Sequence, residues 1–428
     1  MKRILLIAAF LLAAVLLFTA CGDLANVEQD DLANLKWSPA LAYQRAQEKG
    51  YEGTLEEFLA LIGGADGKDG VGIAGAEINP AGRLILILTD GTRLDAGSVR
   101  QTESSADRLS FLIDKGSQTA IILGRGLCPD QFVEFPAQMD GFPVKEIANN
   151  AFQNEKYLYG VTFPESLARI GESAFSGCTG LTGVTIPDGV TDIHEAAFSG
   201  CTGLTYVTIG NTVTRIGNSA FSGCTGLTDV TVPDSVTKIE SDTFRDCTGL
   251  KSVTVGSNVV SIGNNAFYGC FGLTSFTIPD GVKKIGRSAF RNCGLASVAI
   301  PDSVTSIGNS AFQDCGLADV TIGNSVTGIE NETFLGCIGL TNVTIPDSVT
   351  HIGNSAFSGC SGLTDVTIGS GVTSIGDNAF TGCKGLKSVS FHGTKEQWNA
   401  IDKSISWNES TGSYTVHCTD GDLAKTRP

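Results

Sequence analysis

Charge is what this 428-residue chain has least of. Only 17% of its residues are Asp, Glu, Lys or Arg, against roughly 25% in an ordinary globular domain. What charge there is runs acidic, with 29 Lys+Arg against 45 Asp+Glu and a formal net charge of −16. A basic, phosphate-tracking surface is therefore not expected, and nucleic acid is set aside as a partner. Histidine occurs four times, as His194, His351, His392 and His417, in separate stretches of chain. No G-x-S-x-G, H-E-x-x-H or phosphate-cradling glycine loop is present. Catalysis needs an acid, a base or a nucleophile gathered in one place, and no such group recurs here, so no enzyme is expected. The irregular stretch 22–130 is the one place where a hydrolase site would have to sit. Asp66 and Asp69 lie in a Gly-rich loop without the spacing or terminal Glu of a calcium loop, so neither a metal nor a cofactor is expected. Disorder of the whole chain is excluded by a hydrophobic fraction of 42%. The longest apolar run, Ile4 to Phe18, falls short of the ~20 residues of a spanning helix.

That run is better read as an address. Met1-Lys2-Arg3 is basic, the apolar stretch follows, and Thr19-Ala20 precede Cys21. The arrangement resembles a bacterial lipoprotein signal. The resemblance implies cleavage before Cys21, removal of residues 1–20, and attachment of the chain to a lipid bilayer through acylated Cys21. Gly22 stands where an Asp would resemble an inner-membrane retention signal, which favours the outer membrane or cell surface. An ordinary secretory peptide cleaved near Ala20, with Cys21 incidental, is the alternative.

Residues 21–40 are acidic and aperiodic, as a tether would be, and 41–129 form a small module. Within it, Tyr43 to Ile62 reads as two short helices, the second opened by a Thr54–Glu57 capping box. Ala76 to Ile78 and Arg83 to Thr89 read as a hairpin, and Asp90-Gly91 turns the chain into Thr92-Arg93-Leu94. Leu109 to Ile113 reads as helix or strand, and Thr119 to Leu123 as strand.

A domain count from length alone fails here, because from about residue 130 the chain restates one unit. Phenylalanine recurs at Phe152, Phe175, Phe198, Phe221, Phe244, Phe267, Phe290, Phe312, Phe334, Phe357 and Phe380. The steps are 23 residues, except for the two that end at Phe312 and Phe334, which are 22. Both short steps contain Cys-Gly-Leu where other copies have one more residue between Cys and Leu. A deletion confined to a turn leaves the faces of the next strand in phase. Each copy carries L-x-x-V-x-I, as in Leu204, Val207 and Ile209, which puts Val and Ile on the inner face of a short strand and Thr208 on the outer one. Pro187, Gly210, Pro233, Gly256, Pro279, Pro301, Gly323, Pro346 and Gly369 then turn the chain, alternating except at Pro279 and Pro301. Alternation is what duplication of a pair of units would leave. One unit cannot bury its apolar set alone, so the units must stack.

The expected fold is an α/β-type solenoid: a leucine-rich repeat array over 130–391 with a short parallel strand per 22–23-residue turn and about twelve strands. At about 4.8 Å per strand its sheet would be roughly 55 Å long. Residues 392–428 form the C-terminal cap and tail, with Trp398, Ile401 and Trp407 expected over the open end of the core. The motif Ala174-Phe175…Cys178…Leu181…Val184-x-Ile186-Pro187 and the ending Gly393-Thr394…Gln397-Trp398 resemble the BspA-type leucine-rich repeat family of bacterial surface proteins. The resemblance covers about 130 to 405 and implies a surface-exposed, often lipid-anchored protein; some members are linked with adhesion.

The outward strand positions make the candidate binding face: Tyr206, Thr208, Asp229, Thr231, Asp319, Thr321, Asp365 and Thr367. It is small, polar and mildly acidic, without the aromatic and arginine clusters of a strong hot spot. The expected partners are extracellular host or bacterial proteins or glycans, bound by a monomer through many weak contacts. A structural or scaffolding lipoprotein of the envelope is the rival.

Thirteen cysteines suggest a disulfide framework, but ten form one column three residues after Phe: Cys178, Cys201, Cys224, Cys247, Cys270, Cys293, Cys315, Cys337, Cys360 and Cys383. Recurrence once per turn marks a packing position for a small thiol, although neighbouring turns bring column members near enough to bridge. Cys128 and Cys418 stand outside the column.

Overall fold

A computed structural model describes residues 108–128 and 130–423, together with the backbone of three earlier strands. The expected signal peptide, tether, helices of 43–62 and Asp66–Asp69 loop lie outside the described residues, as does Cys21. The chain divides into two compact units, Met1–Ser104 and Ser105–Pro428.

In the first unit, Ile73–Ile78 pairs antiparallel with Arg83–Leu88, which pairs antiparallel with Arg93–Ser98. The expected hairpin is there, and Arg93–Ser98 extends it to a three-stranded meander; the expected turn at Asp90-Gly91 lies outside the described residues.

The second unit is a parallel β-solenoid. Strands at Gly183–Ile186, Tyr206–Ile209, Asp229–Val232 and Ser252–Val255 stack in register, Val on Val and Thr on Thr. Ser297–Ala299 pairs with Asp319–Thr321, and Asn342–Ile345, Asp365–Ile368 and Ser388–Phe391 continue the array. A further strand, Thr415–Cys418, adds parallel to Ser388–Phe391, and Gly421–Leu423 folds back antiparallel to end the sheet. The sequence pattern had ended the sheet at Phe391. Residues 275–278 keep the alternating burial but form no ladder. Their inward residue is Phe276, where the other copies place Val, and its ring wedges 5.1 Å from Phe267 and 4.8 Å from Phe290.

A second ladder runs alongside, made of two-residue strands such as Arg169–Ile170, Asp192–Ile193 and Arg215–Ile216. Its N-terminal edge is the hairpin Ser110–Asp114 with Thr119–Gly124, joined to Phe142–Ile147. Leu109 to Ile113 is therefore strand in the main, and 110–124 is part of the solenoid's second ladder.

Turns, not helices, link the two ladders. The one helix among the described residues is Lys395–Ala400, opened by a Thr394–Gln397 capping box. Two positions per coil bend the chain through the left-handed region. One precedes Ala-Phe, as at Ser173 (φ 52°), Ser219 (φ 55°) and Asn265 (φ 52°). The other lies just before Cys and is filled by Gly177 (φ 73°), Asp246 (φ 55°) or Asn292 (φ 59°). Gly, Asn and Asp tolerate that region, which explains why the three interchange there.

The core is a single stack of rings. Phe152 through Phe380 are each essentially fully buried, with successive centroids 5.1–5.7 Å apart and nearly parallel planes. The stack ends on Trp407, edge-on to Phe380 at 5.9 Å. Trp398 and Ile401 are buried beside it.

Candidate binding surface

Each turn is tied to the next by its own side chains. The ten column thiols are buried and free. Each donates to the carbonyl of the preceding turn's Phe, as Cys201 Sγ does to Phe175 O at 3.1 Å and Cys247 Sγ to Phe221 O at 3.1 Å. Burial pushes their pKa up, to about 12 for Cys178, Cys247, Cys315 and Cys383. In the first copy Glu155 stands in this column and pairs with Arg125 at 3.0 Å instead. Sequence reasoning found the column but not the bond; its signal was a donor at every position where a small apolar residue would pack as well. A thiol reagent on the native protein is expected to label half-buried Cys418 before any column member. Denaturation without reductant should then release all ten to the reagent, counted by mass; recovery of almost none would mean disulfides.

Threonines just before the strands act the same way. Thr205 Oγ1 donates to Thr182 O at 2.9 Å and Thr364 Oγ1 to Thr341 O at 3.0 Å. The Pro/Gly alternation also has a contact behind it. Asp188, Asp234, Asp302 and Asp347, each following a Pro, accept the backbone N–H of Asn211, Ser257, Asn324 and Ser370 in the next turn at 2.6–2.7 Å. Gly210, Gly256, Gly323 and Gly369 precede those acceptors' partners, and any Cβ there would strike the Pro turn. The repeating pair is thus a physical pair, a Pro-Asp turn capping a Gly turn.

These contacts leave one face uncommitted. Thr208, Thr231, Thr321, Asp229, Asp319 and Asp365 are exposed on the strand face, and Thr367 is half-buried. Tyr206 is 43% exposed, with its ring lying over Gly183 of the neighbouring strand. Asp229 and Asp365 each accept from the preceding threonine hydroxyl, at 2.7 and 2.6 Å. The face is consequently a regular lattice of hydroxyls and carboxylates, one row per turn, on a rigid backing.

The histidines are not brought together. His194 accepts a hydrogen bond from Arg169 Nε at 2.8 Å, and burial, with the nearby Arg169 and Arg215 charges, holds its pKa down. His351 lies over Gly328, 3.3 Å from Glu330. His392 pairs with Asp347 and His417 with Asp422. An open depression of about 340 Å³ is lined by His351, Asn354, Asp377, Asp402 and Ser404 among others. No group of three or more metal-ligating side chains exists among the described residues. No helix among them is long and apolar enough to cross a membrane.

Stacked turns of about 23 residues with an inward Leu-Val-Ile set define a leucine-rich repeat protein. The family model for the BspA type leucine rich repeat region matches residues 145–274 and 260–387 in six copies. The chain belongs to that family. Among solved structures it is similar to a leucine-rich cell surface protein of Faecalibacterium prausnitzii A2-165, at 31% identity over 69% of this chain and 96% of that one, with a TM-score of 0.40. It is also similar to a leucine-rich repeat protein of Bacteroides ovatus ATCC 8483, at 24% identity over 72% and 98% of the two chains, with a TM-score of 0.49. A third is the pneumococcal vaccine antigen PcpA, at 18% identity over 83% and 100%, with a TM-score of 0.45. No curated protein matches the chain.

Proposed function

We propose that this is a surface-exposed, lipid-anchored, non-catalytic binding protein that presents its strand face to extracellular host or bacterial proteins or glycans. The observation that supports the reading is the division of labour between columns. Phe, Cys, Leu, Val and Ile are consumed by the core, and one threonine row and the Pro-Asp acceptors by turn-to-turn bonds. The outward Thr208, Thr231 and Thr321 side chains stay exposed outside those contacts. Small hydroxyls and carboxylates make weak individual contacts, so the array works by multiplicity, with many anchored copies on one cell acting together. Membership of the family and the Cys21 signal support export and anchoring.

The test is direct. The full chain displayed densely on beads is expected to capture extracellular matrix proteins or partner bacteria, and the same chain in dilute solution to bind them weakly. Glu substitutions at Thr208, Thr231 and Thr321 should abolish capture without changing the thermal midpoint. Capture that ignores those substitutions, or its absence at every density, would refute the reading. For anchoring, Cys21→Ser should release the protein from the cell envelope into the medium.

A further inference from the structure

One stretch of the array breaks the acidic rule. Lys283, Lys284, Arg287 and Arg291 fall within a single turn, in a stretch bounded by Asp280 and Asp302 with no carboxylate between them. Lys283, Lys284 and Arg287 are exposed, and Arg291 is half-buried. Lys284 belongs to the second ladder, between Ser261 and Ser306. Arg287 is held by its own N–H on Asn264 Oδ1 at 2.8 Å. Arg291 is fixed by its carbonyl, which accepts from Gly269 N at 2.9 Å, and its guanidinium carbon lies 5.9 Å from the centre of the Tyr268 ring. The other neighbour of that ring is Arg245, at 5.1 Å.

The two arginines differ in their partners. Arg245 is matched by Asp242 and Asp246, each at 3.3 Å. Arg291 has no carboxylate among the described residues, and its buried Nε finds no acceptor. Lys283, Lys284 and Arg287 have no ion pair among the described residues either, whereas Lys238, on the same ladder, is neutralised by Glu240. A guanidinium pinned against an aromatic ring is ordered in advance, so it gives up little freedom when an anion arrives.

We propose that Lys283, Lys284, Arg287 and Arg291 form a binding site for an anionic polysaccharide, a linear glycan bearing carboxylate or sulfate groups. The site starts beside the second ladder, which holds Lys284, continues into the turn that carries Arg287 and Arg291, and uses none of the residues of the threonine face. Charge complementarity selects an anion, and the surroundings select a slender one. The chain as a whole is acidic, with a formal net charge of −16, and a wide partner reaches past the screening distance of about 10 Å at 0.1 M salt. A globular acidic protein or a lipid surface would meet that overall negative charge together with the cations. A single glycan strand running from Lys283 to Arg291 follows a stretch of chain that holds four cations and no carboxylate. The Tyr268 ring is sandwiched between the two arginines and offers no free face for a nucleobase, which disfavours single-stranded nucleic acid.

The experiment titrates the full chain with polygalacturonate, dextran sulfate, neutral dextran, oligothymidylate and poly-glutamate by biolayer interferometry at low and physiological salt. Polygalacturonate or dextran sulfate should bind in a salt-sensitive way, with neutral dextran inert. A Lys283→Ala, Lys284→Ala, Arg287→Ala variant, altered only at exposed positions, should bind roughly tenfold or more weakly. Arg291→Gln should weaken binding as well, and Thr208→Glu with Thr231→Glu should leave it unchanged. The proposal is overturned if the triple variant binds as the parent does, if neutral dextran binds equally, or if only oligothymidylate or poly-glutamate binds. Strand-face capture and this titration fail independently, because they use different residues.

Discussion

Above pH 9 the array is expected to lose stability steeply, and the thiol column is the reason. An ordinary thiol ionises near 9.0, but burial raises Cys178, Cys247, Cys315 and Cys383 to about 12, and the other six column members are raised too. A folded thiol keeps its proton where the unfolded chain has already released one, so each step up in pH favours the unfolded state. The window opens near pH 9, the unfolded value, and closes near 12, the folded one; below it the column adds no pH dependence. Each thiol held protonated removes about 1.4 kcal/mol per pH unit inside the window. The four raised to about 12 together remove about 5–6 kcal/mol per unit, and the other six steepen the slope. Total stabilities are of order 5–15 kcal/mol, so a loss of this size is expected to unfold the array inside the window. Tyr414, raised by burial, acts in the same sense, and Lys403, lowered by burial, in the opposite one. Urea midpoints under reductant should be level to about pH 8.5 and then fall sharply. Cys247→Ala and Cys315→Ala should each flatten the fall by about 1.4 kcal/mol per unit. A profile level to pH 11, or variants as steep as the parent, would contradict the assignment.

The same column shows what could be read from the chain beforehand. A residue recurring every 22–23 positions declares the period, and the Val-x-Ile pairs declare which strand face is inside, because strand side chains alternate strictly. The Phe stack, the strand register and the roles of Trp398 and Trp407 were legible for that reason. The second ladder was not: its strands are two residues long, too short for any alternation to show. The left-handed position before Ala-Phe or Thr-Phe was hidden by its occupants, since Ser173, Asp242 and Glu332 share no residue type and are united only by backbone angle. Thr415–Cys418 escaped because the irregular stretch after Phe391 broke the spacing that located the others. On the surface, the exposed threonine rows followed from alternation. The basic turn at 283–291 did not, because a net charge averages over the whole chain and shows nothing of which charges lack partners.

Phe267→Ala is expected to cost about 3–5 kcal/mol. The ring is fully buried, stacked between Phe244 at 5.5 Å and Phe290 at 5.3 Å, with Phe276 against it at 5.1 Å. The hole cannot close by moving one turn, because backbone bonds hold the coil on both sides: Phe244 N donates to Ala266 O at 2.9 Å and Phe267 N to Ala289 O at 2.8 Å. The cavity therefore persists, and the cost exceeds the loss of transfer energy alone. Phe271, in the same turn but 61% exposed, is the control, and its replacement by Ala should stay within about 0.5 kcal/mol. Since each turn touches only its neighbours, the damage should also be local. Hydrogen exchange should rise first in the turns between Phe244 and Phe290, with both ends of the array still protected. Urea unfolding measures the total; a loss below about 1 kcal/mol would place the ring outside the core. Exchange rising evenly from end to end would mean that the solenoid melts as one unit, and that its turns are coupled far more strongly than nearest-neighbour stacking allows.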